Sequence, residues 1–163
     1  MSNIILGTGS YSNVNCGNTV SVTGDGGNAW NYYGPAYKKL APRLITYLPY
    51  AEAYEKLLNI NDFEEYKTFR KTIEDKYIES YYETRLKNLD VNELLFILNE
   101  KFGKEIILLC RENPSEFCHR RLIADYIELK TGIYIPEVSV SSEGKVKKIM
   151  PIRYKNRLNE IIK

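Results

Sequence analysis

The stretch that decides the fold is residues 90–132, DVNELLFILNEKFGKEIILLCRENPSEFCHRRLIADYIELKTG. At its centre Lys104 to Cys110 contains a short apolar run, which lies between two segments whose apolar residues recur at helical spacing. A run of this length bounded by helices is typical of a strand buried on both faces of a parallel sheet. The order helix, strand, helix therefore predicts an α/β domain whose sheet is mostly parallel, with helices on both faces.

Helix boundaries are marked in the sequence on both sides of that strand. Capping boxes at residues 62–65 and 90–93 precede apolar residues at helical spacing, and Gly103 and Gly132 suit helix ends. The stripe behind the first box is rich in tyrosine and continues to Leu86. Because an apolar stripe at this spacing usually faces the core, we interpret it as core.

Two further strands are predicted near the ends of the chain. Asn3 to Leu6 is a brief apolar run that opens into the polar loop GTGSYSN, residues 7–13. Ile133 to Val140 alternates between apolar and polar residues, and its Pro136 confines this strand to a sheet edge or to hydrogen bonding on one side.

Composition places the chain among globular proteins. Of its 163 residues 44% are hydrophobic and 27% charged, which excludes a disordered chain, a collagen-like repeat and a coiled coil. The net charge of +2 is too small to indicate nucleic-acid binding by itself.

Localisation and cysteine usage lead to one expectation. No basic residue precedes the short apolar run at the amino terminus, and no run is long enough for a signal-peptide core or a membrane span. The three cysteines form an odd count without secretory context, so free thiols are expected. We therefore predict a cytoplasmic protein that does not bind membranes.

The chain divides by charge and glycine content. Residues 1–141 are predicted to form the α/β domain with glycine-rich amino-terminal ligand loops, and residues 142–163 a basic tail packed on or extending that domain. Most such tails are a solvated strand and short helix, so a contact of the tail with nucleic acid is the weaker alternative.

The glycine-rich opening of the chain is a candidate ligand loop. Before Lys38 its only charged residue is Asp25, and its Ser, Thr and Asn residues hydrogen-bond without carrying charge. Such a loop at the carboxyl end of a first strand is where α/β folds bind ligands, although irregular surface loops are an equally good interpretation. The predicted ligand-binding residues here are Gly9, Ser10, Tyr11, Ser12, Asn13, Asp25 and Trp30.

A second candidate site lies where the buried strand ends. Cys110 closes the strand, and Cys118 and His119 open the next helix, so both cysteines should lie at the carboxyl edge of the sheet. The amino terminus of a helix lowers a cysteine pKa and attracts anions. We therefore predict Cys118 as a nucleophile and His119 or Glu112 as the proton-transfer group.

The neighbouring arginines are predicted to hold an anion. Arg120 and Arg121 carry planar donor forks suited to a phosphate or carboxylate, and Cys110 completes the predicted ligand-binding set.

Other interpretations of this cluster stay open. A lone histidine is more often structural, a buried cysteine is often a small apolar residue, and an arginine normally pairs with a carboxylate. Two thiols and an imidazole are also potential zinc ligands, or the thiols a redox pair. Because the spacing lacks a close Cys-x2-Cys pair, we predict neither a metal nor a cofactor.

The segment ILLCRENPSEFCHRRLIADYIE, residues 107–128, resembles the signature of the bacterial family known as domain of unknown function 488. In that signature a strand ends in Cys, an acidic residue follows, and Cys-His-Arg opens a helix; the matching residues are Cys110, Glu112, Pro114 and 118–120. The loop at residues 7–13 resembles the family's first strand and polar loop more weakly. The charged middle of the chain and residues 17–27 match no part of the signature.

This resemblance implies a Rossmann-like α/β fold and no established reaction. Because members of the family are thought to act around nucleotides or nucleic acids, it favours that class of ligand. We expect a protein that binds, and chemically modifies if it is an enzyme, a phosphate-bearing, nucleotide-derived small molecule at the carboxyl edge of the sheet. The alternatives are a non-catalytic protein that sequesters or senses such a ligand, and a nucleic-acid-binding module that uses the basic tail.

Overall fold

A computed structural model describes residues 4–25, 28–29 and 31–162. Its strands are β1 (Ile5–Ser10), β2 (Asn18–Ser21), β3 (Asn28–Ala29), β4 (Tyr32–Tyr33), β5 (Ile106–Cys110), β6 (Glu137–Val140) and β7 (Val146–Ile149). Five of them form one sheet in the order β2-β5-β1-β6-β7, in which only β7 is antiparallel to its neighbour, and β3 pairs with β4 separately. The predicted α/β fold with a mostly parallel sheet is therefore confirmed.

Five α-helices accompany this sheet in the described part of the chain. They are α1 (Leu44–Leu57), α2 (Phe63–Tyr81), α3 (Val91–Phe102), α4 (His119–Thr131) and α5 (Lys155–Ile162). A short 3-10 helix spans Lys38–Leu40, and a π-helical turn, Tyr82–Leu86, extends α2. Among the described residues no helix combines the length and the apolarity needed to cross a bilayer.

The capping boxes and the Gly132 stop predicted from the sequence lie at helix ends in the structure. Asp62 accepts a hydrogen bond from the Glu65 backbone N–H at 2.9 Å and starts α2, and Asp90 does the same for α3 at 3.1 Å. Gly132 ends α4 with a φ of 78°, which a residue without Cβ adopts at little cost.

The core lies mainly on one face of the sheet. In β5 all five side chains are buried, and Ile106, Leu108 and Cys110 belong to the larger hydrophobic cluster, which also contains most of the buried apolar residues of α2, α3, α4 and α5. Ile107 and Leu109 contact a smaller cluster with Val14 and the partly buried Tyr32, and none of its described members is helical. The second face is thus covered by residues that follow β1 and by Tyr32, a difference from the predicted helices on both faces.

The tyrosine-rich stripe of α2 is largely core, as predicted. Ile73, Tyr77, Ile78 and Tyr81 are buried, whereas Phe63 at the start of the helix is 68% exposed.

Strand β6 is shorter and more central than predicted. It begins at Glu137, one residue after Pro136, and pairs with β1 on one side and β7 on the other. Pro136 lies outside the strand and its carbonyl accepts a hydrogen bond from the Thr8 N–H at 2.9 Å. Because the missing N–H of proline falls before the strand, it does not interrupt the ladder.

The basic carboxyl-terminal tail contributes β7 and α5. Strand β7 extends the sheet, and Leu158 of α5 is fully buried. Arg153 pairs with Asp125 at 3.0 Å and with Glu128 at 2.7 Å, and both acids lie in α4.

Candidate functional site

A cavity of about 460 Å³ opens at the carboxyl edge of the sheet, where β2 and β5 end. The three predicted catalytic residues, Glu112, Cys118 and His119, all line it. Its volume lies in the range of small-molecule pockets. The fold thus brings the predicted proton-transfer groups and the predicted nucleophile to one concave surface.

Strand β5 and helix α4 position the two thiols. Cys110 is the last residue of β5, and Cys118 is the residue immediately before the first turn of α4. The Cys118 side chain forms no capping hydrogen bond with the helix, and its backbone is extended, with φ −154°. The thiol therefore lies near the positive end of the helix dipole without being bound by the helix.

His119 holds the cluster together. Its Nε2 atom lies 2.7 Å from the carbonyl oxygen of Val22 and 3.6 Å from Cys110 Sγ, and its Nδ1 atom lies 3.9 Å from the same sulfur. One ligand-type atom from each of Cys110, Cys118 and His119 falls within 4.8 Å of the others, and all three residues are buried. Two thiols and an imidazole thus form one compact group at the inner end of the cavity.

The surroundings favour ionisation of Cys118 over Cys110. Burial opposes ionisation of both thiols, and it raises the pKa of Cys110 well above its ordinary value. The pKa of Cys118 nevertheless lies well below its ordinary value, because the neighbouring Cys110 thiol, the Arg120 charge and His119 all stabilise its thiolate. These opposite shifts favour a thiolate at Cys118 over one at Cys110.

Both proton-transfer candidates respond to that charge. Burial raises the pKa of Glu112, and the negative charge of Cys118 raises it further. Burial lowers the pKa of His119, but the hydrogen bond to Cys118 and its charge outweigh burial, so the net shift is upward. The surroundings therefore favour a thiolate at Cys118 and a cationic His119, whereas for Glu112 they shift the pKa upward although the side chain pairs with Arg111 at 3.2 Å.

Aromatic side chains form the walls of the cavity. Phe117 stacks on Tyr50, with ring centroids 5.3 Å apart, and meets Tyr77 edge to face at 4.9 Å. Tyr47 lines the same cavity and is 42% exposed. Flat ligand rings bind well to such walls, because aromatic pairs gain energy beyond simple burial.

The Cys110, Cys118 and His119 cluster fits a metal ion poorly. A metal on one ring nitrogen places a ligating sulfur much closer to that nitrogen than to the other. Here Cys110 Sγ lies 3.6 Å from His119 Nε2 and 3.9 Å from Nδ1, so the sulfur is almost equally distant from the two ring nitrogens. The nearer nitrogen, Nε2, is already hydrogen-bonded to Val22. The geometry favours thiol chemistry over tetrahedral coordination.

The two arginines predicted to hold an anion have protein partners. Arg120 forms a two-pronged ion pair with Glu137 of β6, with Nη2 to Oε2 at 2.7 Å and Nε to Oε1 at 3.1 Å, and both side chains are 1% exposed. Arg121 donates to the Thr8 hydroxyl and to the Ile135 carbonyl, each at 2.8 Å. Neither arginine lines the cavity. Both guanidinium groups thus bind protein groups in or next to the sheet and not the predicted anion, because both side chains are buried.

The predicted amino-terminal ligand loop is divided between two places. Asp25 lines the cavity together with Thr23. By contrast Gly9 lies inside β1, where a Cβ would stand 2.5 Å from Val14 Cγ2, so this glycine permits close packing in the smaller cluster. Ser10 is buried and pairs with Cys110 in the sheet register.

The other predicted loop residues lie away from the cavity lining. Ser12 forms a hydrogen bond with Ser10 at 3.2 Å, and the Asn13 N–H donates to the Ser10 carbonyl. Tyr11 stacks on Tyr32 at 5.0 Å, and its hydroxyl lies 2.7 Å from Ser21 Oγ. Trp30 lies outside the described residues.

Several cavity residues carry no strong sequence signal. Tyr47 and Tyr50 belong to α1, a segment without a clear capping residue, and only the assembled fold brings them over the site. Phe117 immediately precedes Cys118, in the loop between β5 and α4. Outside the cavity, Glu137 is a charged residue in an otherwise apolar and hydroxyl-bearing strand, and this pattern could have indicated the buried ion pair with Arg120.

Fold and site together define an α/β protein with a cysteine–histidine cavity at the carboxyl edge of its sheet. Residues 50–127, somewhat less than half of the chain, match the family described as Domain of unknown function DUF488. This match confirms the resemblance to that family predicted from Cys110, Glu112 and residues 118–120. It also includes the charged middle of the chain, for which the signature predicted no counterpart, and it leaves residues 7–13 outside. No curated protein and no solved structure matches the chain.

Proposed function

We propose that this protein binds a flat, nucleotide-derived small molecule in the cavity and transfers a group from it to Cys118. The observation that carries the proposal is the convergence of Glu112, Cys118 and His119 on one cavity with aromatic walls. A reducing compartment such as the cytoplasm suits this function, because the reactive thiol must stay reduced.

Recognition of the ligand rests on the walls and the rim. The rings of Tyr47 and Tyr50 offer faces on which a nucleobase stacks, and Asp25 and Thr23 offer hydrogen-bond partners for its polar edge. Arg111 supplies a cationic group at the lining, where it also pairs with Glu112 at 3.2 Å. With Arg120 and Arg121 bound elsewhere, Arg111 and the start of α4 are the groups that support binding of a phosphate.

The chemistry follows from the charge states of the cluster. The Cys118 thiolate attacks an electrophilic atom of the substrate, a bond from sulfur to that atom forms, and the bond to the leaving group breaks. Glu112, whose raised pKa favours the protonated form, donates its proton to the departing group. Water then attacks the group held on sulfur and gives its proton to the Glu112 carboxylate, which regenerates thiolate and acid. The Arg120 charge keeps the thiolate available throughout.

The binding half of the proposal is tested with nucleoside 5′-monophosphates as probes, using saturation-transfer NMR and thermal shift. Tyr47→Ala should weaken binding roughly tenfold, since stacking of a base on an aromatic ring contributes about 1–3 kcal/mol. Tyr33→Ala is the matched control, because Tyr33 lies outside the cavity and is 81% exposed. Absence of binding to the wild type, or equal affinity in both variants, contradicts the proposed recognition.

The catalytic half is tested by intact-protein mass spectrometry with nucleotides found to bind. Glu112→Gln removes the group that both protonates the leaving group and activates water, so turnover should be lost and any adduct that forms on Cys118 should persist. Cys118→Ser should bind the same nucleotides and form no adduct. Recovery of the nucleotide unchanged from all three proteins, without any adduct, would instead support sequestering or sensing.

A further inference from the structure

The two thiols at the inner end of the cavity differ in access. Cys118 lines the cavity, whereas Cys110 is fully buried and does not line it, and its sulfur lies 3.6 Å from His119 Nε2. They nevertheless lie within 4.8 Å of each other. A ligand in the cavity can therefore contact Cys118 but not Cys110, whereas Cys110 can reach a group that is bound to Cys118. This is the arrangement of an attacking and a resolving cysteine.

We propose that Cys118 and Cys110 form a redox couple that reduces disulfide-type substrates in the cavity. This inference rests on the proposed function of Cys118 as nucleophile and names the electrophile as a sulfur atom of a disulfide, R–S–S–R′. The proposal adds a role for Cys110, which the group-transfer scheme uses only to stabilise the Cys118 thiolate.

The reaction balances without a further oxidant. The Cys118 thiolate attacks one sulfur, a Cys118–S–S–R bond forms, and R′–S⁻ leaves and takes a proton from Glu112. Cys110 then loses its proton to the Glu112 carboxylate and attacks Cys118 Sγ, which forms the Cys110–Cys118 disulfide and releases R–S⁻. The substrate gains two electrons and the protein loses two. A small dithiol restores both cysteines and is itself oxidised to a disulfide.

The local structure permits this bond. A disulfide needs a sulfur–sulfur distance of about 2.05 Å, so the thiols must approach each other by a change of side-chain rotamer. Cys118 forms no capping hydrogen bond that would hold its rotamer. The loop between the two cysteines is held by its own hydrogen bonds. The Glu116 carboxylate accepts from the Asn113 N–H at 2.8 Å, and the Glu116 backbone N–H donates to the Asn113 carbonyl at 2.9 Å.

The test uses 4,4′-dithiodipyridine, a flat aromatic disulfide that releases a coloured thione, on the full chain with Cys16→Ser to remove the third thiol. Cys16 lies outside this cluster, partly buried, with its sulfur 3.1 Å from the Ser141 carbonyl. We expect two equivalents of thione per chain, no pyridyl adduct, and a chain mass lower by two hydrogens. Cys110→Ala in the same background should release one equivalent and keep the adduct on Cys118. Circular dichroism establishes that each variant is folded.

The outcomes separate the two proposals. If the chain with both thiols releases one equivalent and keeps its adduct, Cys110 does not resolve, and the redox couple is overturned while Cys118 stands as nucleophile. If Cys118 fails to react at all in a folded chain, the proposed function falls together with this inference. Release of two equivalents with two pyridyl adducts on the chain also overturns the couple, because Cys110 has then reacted with the reagent directly and not with the Cys118 adduct.

Discussion

The buried ion pair between Arg120 and Glu137 offers the sharpest test of how the site is supported. Both side chains are 1% exposed, and Glu137 Oε1 also accepts a hydrogen bond from the Thr8 hydroxyl at 2.6 Å. Glu137→Leu removes the compensating charge and leaves the guanidinium enclosed. Breaking a buried pair in this way costs about 3–5 kcal/mol. For a chain of this size, each kcal/mol lowers Tm by about 2–4 °C, which gives a loss of about 6–20 °C.

Urea denaturation followed by circular dichroism measures the loss of unfolding free energy, and thermal denaturation measures the change in Tm. The double variant Arg120→Met with Glu137→Leu should recover most of it, because apolar residues of similar volume replace both charges. The exposed pair of Arg70 and Glu74, with Nε to Oε2 at 2.9 Å and the arginine side chain 46% exposed, is the control. Glu74→Leu should cost less than about 1 kcal/mol. A loss of that small size in Glu137→Leu would refute the view that this pair anchors the start of α4 to the sheet.

Three further predictions address reactivity, acid stability and packing. With Cys16 replaced by Ser, iodoacetamide should modify Cys118 at pH values below the ordinary thiol pKa of about 8.5, and Cys110→Ala should move the midpoint of the pH–rate curve upward because a group that stabilises the thiolate is lost. A wild-type midpoint at the ordinary value refutes this. A hydrogen bond from Lys155 lowers the pKa of Glu128, so the ionised carboxylate stabilises the fold above the unfolded-state pKa, and this stability is lost as pH falls through the folded-state pKa. In urea titrations at a series of pH values, Glu128→Gln should lose less unfolding free energy on acidification than the wild type. Gly9→Ala should cost about 1–3 kcal/mol by overpacking against Val14, whereas Gly24→Ala, with no atom within 4 Å of its Cβ, should cost far less in the same assay.

Local signals predict much of this fold. The capping boxes at residues 62–65 and 90–93, the glycine stop at Gly132 and the apolar run of β5 depend on neighbours in sequence, so they are visible without a structure. The extent of β6 is harder to predict, because pairing on both sides depends on where Pro136 falls relative to β1 and β7. This pairing is set by the tertiary structure and not by the local sequence.

The candidate site likewise contains residues that local sequence predicts and residues that only tertiary packing places. Glu112, Cys118 and His119 are found from sequence because a strand end and a helix start place them on one edge. The aromatic walls are not, because Tyr47, Tyr50 and Tyr77 come from helices whose packing sets their positions. Loop composition also misleads at Gly9 and Tyr11, which serve strand packing and a tyrosine stack.

The first turn of α4 shows why adjacent residues serve opposite purposes. Successive side chains on a helix point about 100° apart. His119 faces the cavity with Cys118, whereas Arg120 and Arg121 turn toward Glu137 and Thr8. Arg120 still lies close enough for its charge to lower the pKa of Cys118. The same guanidinium therefore fixes helix to sheet and stabilises the thiolate, so loss of Arg120 should reduce both stability and the reactivity of Cys118. An anion-binding arginine would instead change ligand affinity and leave both properties intact.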